Sequence, residues 1–299
     1  MSERPTAGAT SEQPTVSVVT PSYNQSEYIR DTIESVRMQS YDEVNHVVVD
    51  GESDDGTLDI LREYDDDIEW VSEPDEGQSD AINKGFDMVE GDIVGWLNSD
   101  DVYFDTGTLR RIVSYFDRYD ADVIYGDMAL LDAASNIKKI HTVPDFDYKK
   151  LLRYCFIEQP ALFFRSTTLE EQRLDTDLSY VMDYEFWLRL AQDHKFRHVD
   201  DILAGDRNHD QRKILKDRQA MQAEGREMTR AYGATEQGTL PHRIERANDI
   251  LTSGIPRRLR ALEKTIDLHR DPPQLAFDGN LSPRGQMLKN VFRANRNIL

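Results

Sequence analysis

The period of the hydrophobic positions changes along this chain, and the changes divide it into elements. Thr15-Val-Ser-Val-Val-Thr20 is a β-branched run of the kind that forms a strand buried in a parallel sheet. Pro21 is expected to stop it, because proline has no amide for the ladder. Pro21-Ser-Tyr-Asn24 then reads as a strand-to-helix loop, with Ser22 or Asn24 placed to cap a helix. Ile29, Ile33 and Val36 recur at helical spacing up to about Gln39. The alternation repeats. His46–Val49 predicts a second strand, ending in the Gly/Asp loop Asp50–Thr57 and a helix over Leu58–Tyr64. Ile68–Val71 predicts a third, with loop Glu73–Gly77 and a helix over Ser79–Val89. A fourth strand, Ile93–Leu97, runs into a polar loop carrying Asp100 and Asp101. The βαβαβαβ order calls for a parallel sheet wrapped by helices.

The second half is less regular. Thr108–Phe116 reads as helix and Val123–Tyr125 as strand. Met128–Leu131 and Ile137–Thr142 flank Asp132–Asn136 as a hairpin would. A short helix over Tyr148–Tyr154 and an apolar strand, Ala161–Phe164, follow, the strand preceded by Glu158-Gln-Pro160. Tyr184–Ala191 is an amphipathic helix, Phe196–Val199 a strand and Gln211–Tyr232 a long polar helix. The Ser/Thr/Glu/Pro-rich stretch Met1–Pro14 is expected to be a disordered tail. The organisation predicted is a tail over 1–14, an α/β body over 15–232 and a helical, basic extension over 233–299.

Charge changes the picture. The 299 residues carry 36 Lys and Arg against 56 Asp and Glu, a net −20. That disfavours a nucleic-acid partner, which needs clustered cations. The excess acid reads as a hydrated surface and points to a halophilic source, where salt screens the self-repulsion. Residues 241–299 reverse the sign, with 11 basic and 6 acidic residues. Their basic helical stretch Ile255–Leu262 has three surfaces to choose from: the acidic body, a partner, or a membrane touched peripherally. The body is the simplest of the three. The one cysteine, Cys155, excludes an internal disulfide and fits a reducing, cytoplasmic compartment. No signal-peptide pattern, zinc spacing or membrane-spanning run is present in the sequence.

The candidate chemistry lies in the loops. Four predicted strand ends carry Thr20–Asn24, Asp50–Thr57, Glu73–Gln78 and Asn98–Tyr103 to one edge of the sheet, where open α/β sheets bind ligands. Adjacent carboxylates such as Asp100 and Asp101 repel each other, and a hard divalent cation relieves them. Mg²⁺ is commonly held by one or two carboxylates together with a substrate's phosphates. A plain acidic surface turn is the other reading of that pair. Two stock motifs fail. Gly51-x4-Gly56-Thr57 lacks the lysine of a phosphate loop, and Asp50-x-Glu52-x-Asp54 lacks the glycine and terminal glutamate of a calcium loop.

Four segments in order, Val18-Val-Thr-Pro-Ser-Tyr-Asn24, Val48-Val-Asp-Gly-Glu-Ser-Asp-Asp-Gly-Thr57, Ser72-Glu-Pro-Asp-Glu-Gly-Gln-Ser-Asp-Ala-Ile-Asn-Lys-Gly85 and Gly95-Trp-Leu-Asn-Ser-Asp-Asp101, resemble the signatures of family 2 glycosyltransferases, over about Thr15–His209. The resemblance implies a GT-A fold: an α/β, Rossmann-like, mostly parallel sheet flanked by helices. It implies an inverting transfer from a nucleotide-diphosphate sugar, with UDP the family-level expectation, to a hydroxyl on a lipid-linked or surface glycan. Donor contacts are then expected from Thr20, Pro21, Tyr23, Asn24, Asp50, Gly51, Asp75, Gln78, Ser99 and Asp100. Asp101 would touch Mn²⁺ or Mg²⁺, and His209, in Arg207-Asn-His209, would be a metal or phosphate ligand. Many members have two consecutive acids where this chain has Asp50-Gly51, which leaves the choice of base open. Asp183, in Val181-Met-Asp-Tyr-Glu-Phe-Trp-Leu-Arg-Leu190, resembles the family's base, with Glu185 in reserve; it would also serve as a helix N-cap. The chain lacks the Gln-x-x-Arg-Trp signature of processive synthases, so transfer of single sugars is expected. The competing classes are a sugar-phosphate nucleotidyltransferase, whose glycine-rich basic first loop is missing, and a nucleotide-sugar-binding scaffold without catalysis.

The charge imbalance has a consequence for stability. Thermal melts should show the midpoint rising between low and molar KCl; a midpoint independent of salt would remove the halophilic reading.

Overall fold

The computed structural model describes residues 13–170, 172–212, 217–234 and 255–280. Residues 1–12 of the tail expected over 1–14, and much of the extension, including Ser282-Pro283, lie outside the described residues. The four predicted strands form: β1 (Val16–Ser22), β2 (Val44–Asp50), β3 (Glu69–Ser72) and β4 (Ile93–Trp96). They pair in parallel in the order β3-β2-β1-β4. β1 is buried along its whole length because Val16 and Val18 enter one core layer and Val19 the other. α1 (Ile29–Arg37), α2 (Thr57–Glu63) and α3 (Gln78–Asp87) complete the alternation. Ile29 and Ile33 pack with Val48 and Leu61 beneath α1 and α2. α3 lies so close to the sheet that a Cβ on Gly85 would stand 2.3 Å from Val19 Cγ1.

Beyond β4 the sheet becomes mixed. β5 (Val102–Tyr103) and α4 (Thr108–Arg118) come next in the chain, then β6 (Val123–Asp132) and its hairpin partner β7 (Ile137–His141). α5 (Tyr148–Leu151), β8 (Leu162–Arg165), α6 (Met182–Asp193) and β9 (Phe196–Asn208) follow. β8 sits antiparallel between β4 and β6, β9 runs parallel to β6, and β5 closes the edge against β9. Trp187 and Phe186 of α6 are fully buried against Phe86, Trp96 and Phe164, so α6 is fixed to the centre of the sheet.

Several expectations need correction. β1 continues through Pro21, which pairs with Val49. Val16 N and Ser22 O bond toward β2, whereas Val19 O accepts from Leu97 on the β4 side. Pro21 therefore aims its missing amide at the side β4 has just left, so no ladder bond is lost. Neither Ser22 nor Asn24 caps α1, whose N-cap position is Tyr28. Asn24 instead adopts φ 53°, donates from its backbone to Ser53 Oγ and accepts from Asp54 N. The strands expected over Val123–Tyr125 and Met128–Leu131 are one strand, bent by register shifts around Asp127. β9 runs nine residues past Val199 because Asp200-Asp201, which break the apolar pattern, find partners: Asp201 accepts from Arg111 at 3.0 Å and from Tyr115. The last polar helix, α7, is Arg218–Ala231 and is capped by Asp217, starting later than Gln211. Asp183 is not an N-cap; it lies inside the first turn of α6, behind Val181.

The basic stretch forms α8 (Ile255–Arg270), which rests on the body. Leu268 joins Ile137, Ile140 and Phe277 in one apolar cluster. Arg260 donates to Val143 O at 2.6 Å, and Thr142 Oγ1 donates to Arg257 O at 2.7 Å. Lys264 reaches 2.7 Å from Asp127, a carboxylate with 0% exposure. Removing one partner of a buried pair strands the other without water, at a cost of about 3–5 kcal/mol. Lys264→Met should therefore lower the urea midpoint by about 3 kcal/mol equivalent, and Asp127→Asn in the same chain should restore most of the loss. Equal stability of Lys264→Met and wild type would show that α8 is not anchored through this pair.

Candidate active site

The chain builds β1, moves outward to β2 and β3, and returns to place β4 on the other side of β1. The strand order reverses there, and the carboxyl ends of β1 and β4 open a crevice. Tyr23 stands at its rim with 63% of its surface exposed. A Cβ on Gly51 would lie 2.3 Å from Asp75 Oδ2 and 3.4 Å from Tyr23 Cδ2, so the bare backbone at Gly51 is what lets that carboxylate and ring come together. Asp75 also accepts from Gly77 N at 2.9 Å, closing its own turn. Gln78, the first residue of α3, donates to Asn98 Oδ1 and ties the third loop to the fourth.

Other predicted donor residues lie deeper. Thr20 is buried, with Oγ1 2.9 Å from His46 Nε2. Burial pushes the His46 pKa down to about 3, so this imidazole is neutral. Asp50 has 0% exposure. Its oxygens accept from Ser53 Oγ at 2.5 Å, Ser53 N at 2.9 Å and Ser72 Oγ at 2.8 Å. It holds the second loop against the third strand. Pro21 and Ser99 are buried as well. Tyr23, Gly51, Asp75 and Gln78 are thus the loop residues that meet at the crevice.

The fourth loop holds the charge. Asp101 is 3% exposed. Its Oδ1 accepts from Arg207 N at 3.1 Å, and its carbonyl accepts from Thr32 Oγ1 of α1 at 2.8 Å. Burial, then Asp100, then Asp206 raise its pKa well above the ordinary carboxylate range, against the opposing pull of Arg212. Asp206 is raised too, by burial above all, while Arg212 bonds it at 2.8 Å and pulls the other way. Asp100 Oδ2 lies 2.8 Å from His209 Nε2. The His209 ring packs tilted against Tyr28, with centroids 4.6 Å apart, and among the described residues its buried Nδ1 has no partner. Arg207 is turned away from the crevice, paired with Asp31 at 2.9 Å and lying over Tyr28. Crowded acidic oxygens, with His209 Nε2 beside Asp100, form a donor set suited to Mg²⁺ or Mn²⁺. Among the described residues no three such side chains are already drawn into a cage, so an ion here would take further ligands from substrate and water.

Asp183, in the first turn of α6, is near Glu158, and the next residue, Gln159, reaches the fourth loop. Gln159 accepts from Asn98 Nδ2 at 2.8 Å and donates to Trp96 O at 2.5 Å. Glu158 is close enough to Asp183 and to Asp206 to raise both, and Arg212 in turn lowers Glu158. Burial, the main cause, brings the Asp183 pKa up to about 6, although Tyr184 N donates to it at 2.7 Å. Glu185, the reserve base, points elsewhere, into a bidentate pair with Arg189 and a bond from Tyr232. The sequence reading missed Asp206, Arg212, Glu158 and Asn98. Glu158 had the one usable signal, a charged residue beside Gln-Pro at the head of an apolar strand.

The sheet order and the crevice at its switch point are those of the GT-A fold. Solved structures of that fold align with it. S. aureus TarS in complex with UDP-GlcNAc matches with a TM-score of 0.62 at 17% identity, over 87% of this chain and 82% of that one. The mannosyltransferase PcManGT from Pyrobaculum calidifontis, in complex with GDP-Man and Mn²⁺, matches with a TM-score of 0.59 at 16% identity, over 96% and 83%. The family model described as Glycosyl transferase family 2 matches residues 17–182, and the chain belongs to that family. An uncharacterized glycosyltransferase of Rickettsia typhi is 27% identical over 66% of this chain and 65% of its own length. A putative teichuronic acid biosynthesis glycosyltransferase of Bacillus subtilis, TuaG, is 42% identical over 96 residues, 31% of this chain and 38% of its own. The chain spans about two thirds of the length of the Rickettsia relative.

The Asp183 environment has a measurable consequence. Its value near 6 against the ordinary 3.8 means that the fold favours the protonated carboxyl. The stability this confers is present below about pH 3.8 and is lost as pH rises through about 6. Asp183→Asn should therefore be more stable than wild type at pH 7–8, by about 1–2 kcal/mol after solvent screening, with the gap closing toward pH 4. Melts across that range check it; a gap that is constant or reversed would mean the carboxylate is well solvated.

Proposed function

We propose that the protein transfers a single sugar, with inversion, from a nucleotide-diphosphate donor to an acceptor hydroxyl. What supports this reading is that Asp183, a carboxylate with pKa about 6, and the withdrawn acid Asp206 both feel Glu158, while Asp206 in turn acts on Asp101. The exposed ring of Tyr23, with Gly51 and Asp75 beside it, would hold the nucleoside end of the donor. Asp50 would act by holding the second loop in shape. UDP is the nucleotide we favour. The catalytic body spans 15–232, and the extension from 233 buttresses its acceptor half.

Inversion requires the acceptor oxygen to attack C1 from the face opposite the departing diphosphate. As that bond forms, the hydroxyl proton passes to the Asp183 carboxylate, and the C1–O electron pair leaves with the diphosphate. A base with pKa near 6 is ionised at neutral pH and still basic enough to accept the proton. The first turn of α6, pinned by Trp187 and Phe186, keeps Asp183 in place. Asp101, with Asp100 or His209, would hold Mn²⁺ or Mg²⁺, whose charge offsets that of the diphosphate.

Release of free sugar from UDP- and GDP-sugars with Mn²⁺ or Mg²⁺ tests the reading. Activity on a nucleotide sugar should appear with one of them, and kcat/KM should rise with pH through about 6. Asp183→Asn should lower turnover about 10²–10⁴-fold while the nucleotide still raises the melting temperature. Asp101→Asn should abolish the metal-dependent part of that thermal shift. Unchanged turnover in Asp183→Asn would remove it as the base. Absence of any nucleotide-induced shift in the wild type would overturn the donor assignment.

A further inference from the structure

The acceptor side of the crevice carries a charge pattern opposite to that of the chain. Overall the protein is strongly acidic, at −20. β7, by contrast, reads Ile-Lys-Lys-Ile-His and lies beside the basic start of α8. Lys139 pairs across the sheet with Leu130, and Leu130 with Asp206. Residues aligned on neighbouring strands share a face, so Lys139 and His141 look out on the same side as Asp206, over the crevice. Leu130 is half-exposed there, whereas Ala129 and Leu131 on the other face are buried. Lys138, at the register shift of the hairpin, is used in a 2.6 Å ion pair with Asp132.

A line of groups leads away from Asp183. Glu158 is next to it, and His141 Nδ1 lies 2.5 Å from Glu158 Oε1. Lys139 stands beyond, near enough to Glu158 to be felt by it, and Arg257 of α8 is near enough to Lys139 to repel it. Among the described residues Lys139 makes no hydrogen bond or ion pair. Burial lowers its ammonium pKa, Glu158 only partly offsets this, and Arg257 lowers it further. Arg212, the other cation by the crevice, is committed to Asp206 at 2.8 Å. A partly desolvated ammonium is costly unless an anion meets it. The diphosphate cannot serve, because an inverting donor leaves toward Asp101, on the opposite side of the sugar from Asp183.

We infer that Lys139 and His141 of β7, with Arg257 of α8, form an anion subsite for the acceptor, and that the acceptor is an acidic glycan carrying carboxylate or phosphate-ester groups. This rests on the reading of the crevice as a glycosyl-transfer site. The anion lies beyond the reacting hydroxyl, two residues of β7 away from Glu158's partner. The subsite orients the acceptor along the open face of β6 and β7, with its hydroxyl end at Asp183.

Calorimetric titrations of the full chain, with UDP and Mg²⁺ present, test this with three probes: trigalacturonate, a glycerol-phosphate trimer and neutral maltotriose. At least one acidic probe should bind about tenfold or more tightly than maltotriose, with the preference shrinking as KCl rises. Lys139→Gln should lose most of that preference and Lys139→Arg should keep it, which separates charge from fold. The acidic probe that binds better identifies carboxylate or phosphate as the source. Equal affinity for all three, including no measurable binding of any, overturns the subsite, as does a preference that survives Lys139→Gln. UDP titrated alone into the wild type reports on the donor reading separately, since its failure leaves the comparison of probes intact.

Discussion

The crevice depends on a carboxylate that the fold withdraws from water beside two others. Asp101 has no solvent to share its charge with, and Asp100 and Asp206 make ionisation harder still. Such a group is tolerated only where the backbone around it is over-determined. It is over-determined here from three directions. Thr32 of α1 holds its carbonyl, Arg207 N of β9 holds its Oδ1, and Asn98 Nδ2 reaches its Oδ2 at 3.4 Å. Each comes from a different part of the chain. The parallel half of the sheet supplies the loop, α1 braces it from behind, and the long β9 returns from the far half to close it. Loss of any of these would loosen an acid whose charge Arg212 offsets only in part.

The same logic explains why the two halves of the molecule cannot be read as separate modules. Glu158-Gln159 sits at the head of β8, and β8 is the strand inserted between β4 and β6. Gln159 bonds the β4 end directly, while Glu158 sets the potential felt by Asp183 and Asp206. One dipeptide thus links Asp183 electrostatically to Asp206 and structurally to the end of β4. The antiparallel insertion of β8 is what brings a residue from the second half to the switch point of the first.

How much of this was legible in the sequence follows from what each residue depends on. The first four strands and three helices were legible because their signals are local: β-branched runs, helical spacing and Gly/Asp loops. Asp101 and Asp183 stood out as candidates because their segments resemble the family's. What failed was whatever depended on a partner distant in sequence. Pro21 sits in a strand because β4 has already ended beside it, which no local rule records. Asp200-Asp201 stay in β9 because Arg111 and Tyr115 of α4 meet Asp201. Asp206 and Arg212 were invisible as site residues since neither stands in a motif; only the pairing of β6 with β9 carries Asp206 to the crevice. Asp50 was read as a ligand contact, and its burial with Ser53 and Ser72 shows a residue that shapes a loop. An acid in a motif and an acid at a surface have the same letter.

The uneven distribution of charge has its own logic once the fold is known. A surface with net −20 repels anions from every direction at low salt. An acidic ligand would then reach the protein only where the local sign is reversed, and screening by salt would not erase contacts made at hydrogen-bond range. The basic start of α8 lies where it can reverse that sign, because Lys264 in its middle is locked to Asp127 under the sheet. The buried pair fixes the register of the helix, and the register brings Arg257 to the edge of β7 beside Lys139. A segment that looks in sequence like a generic basic tail is anchored on an interior carboxylate, so its cations belong to the architecture of the second half of the sheet.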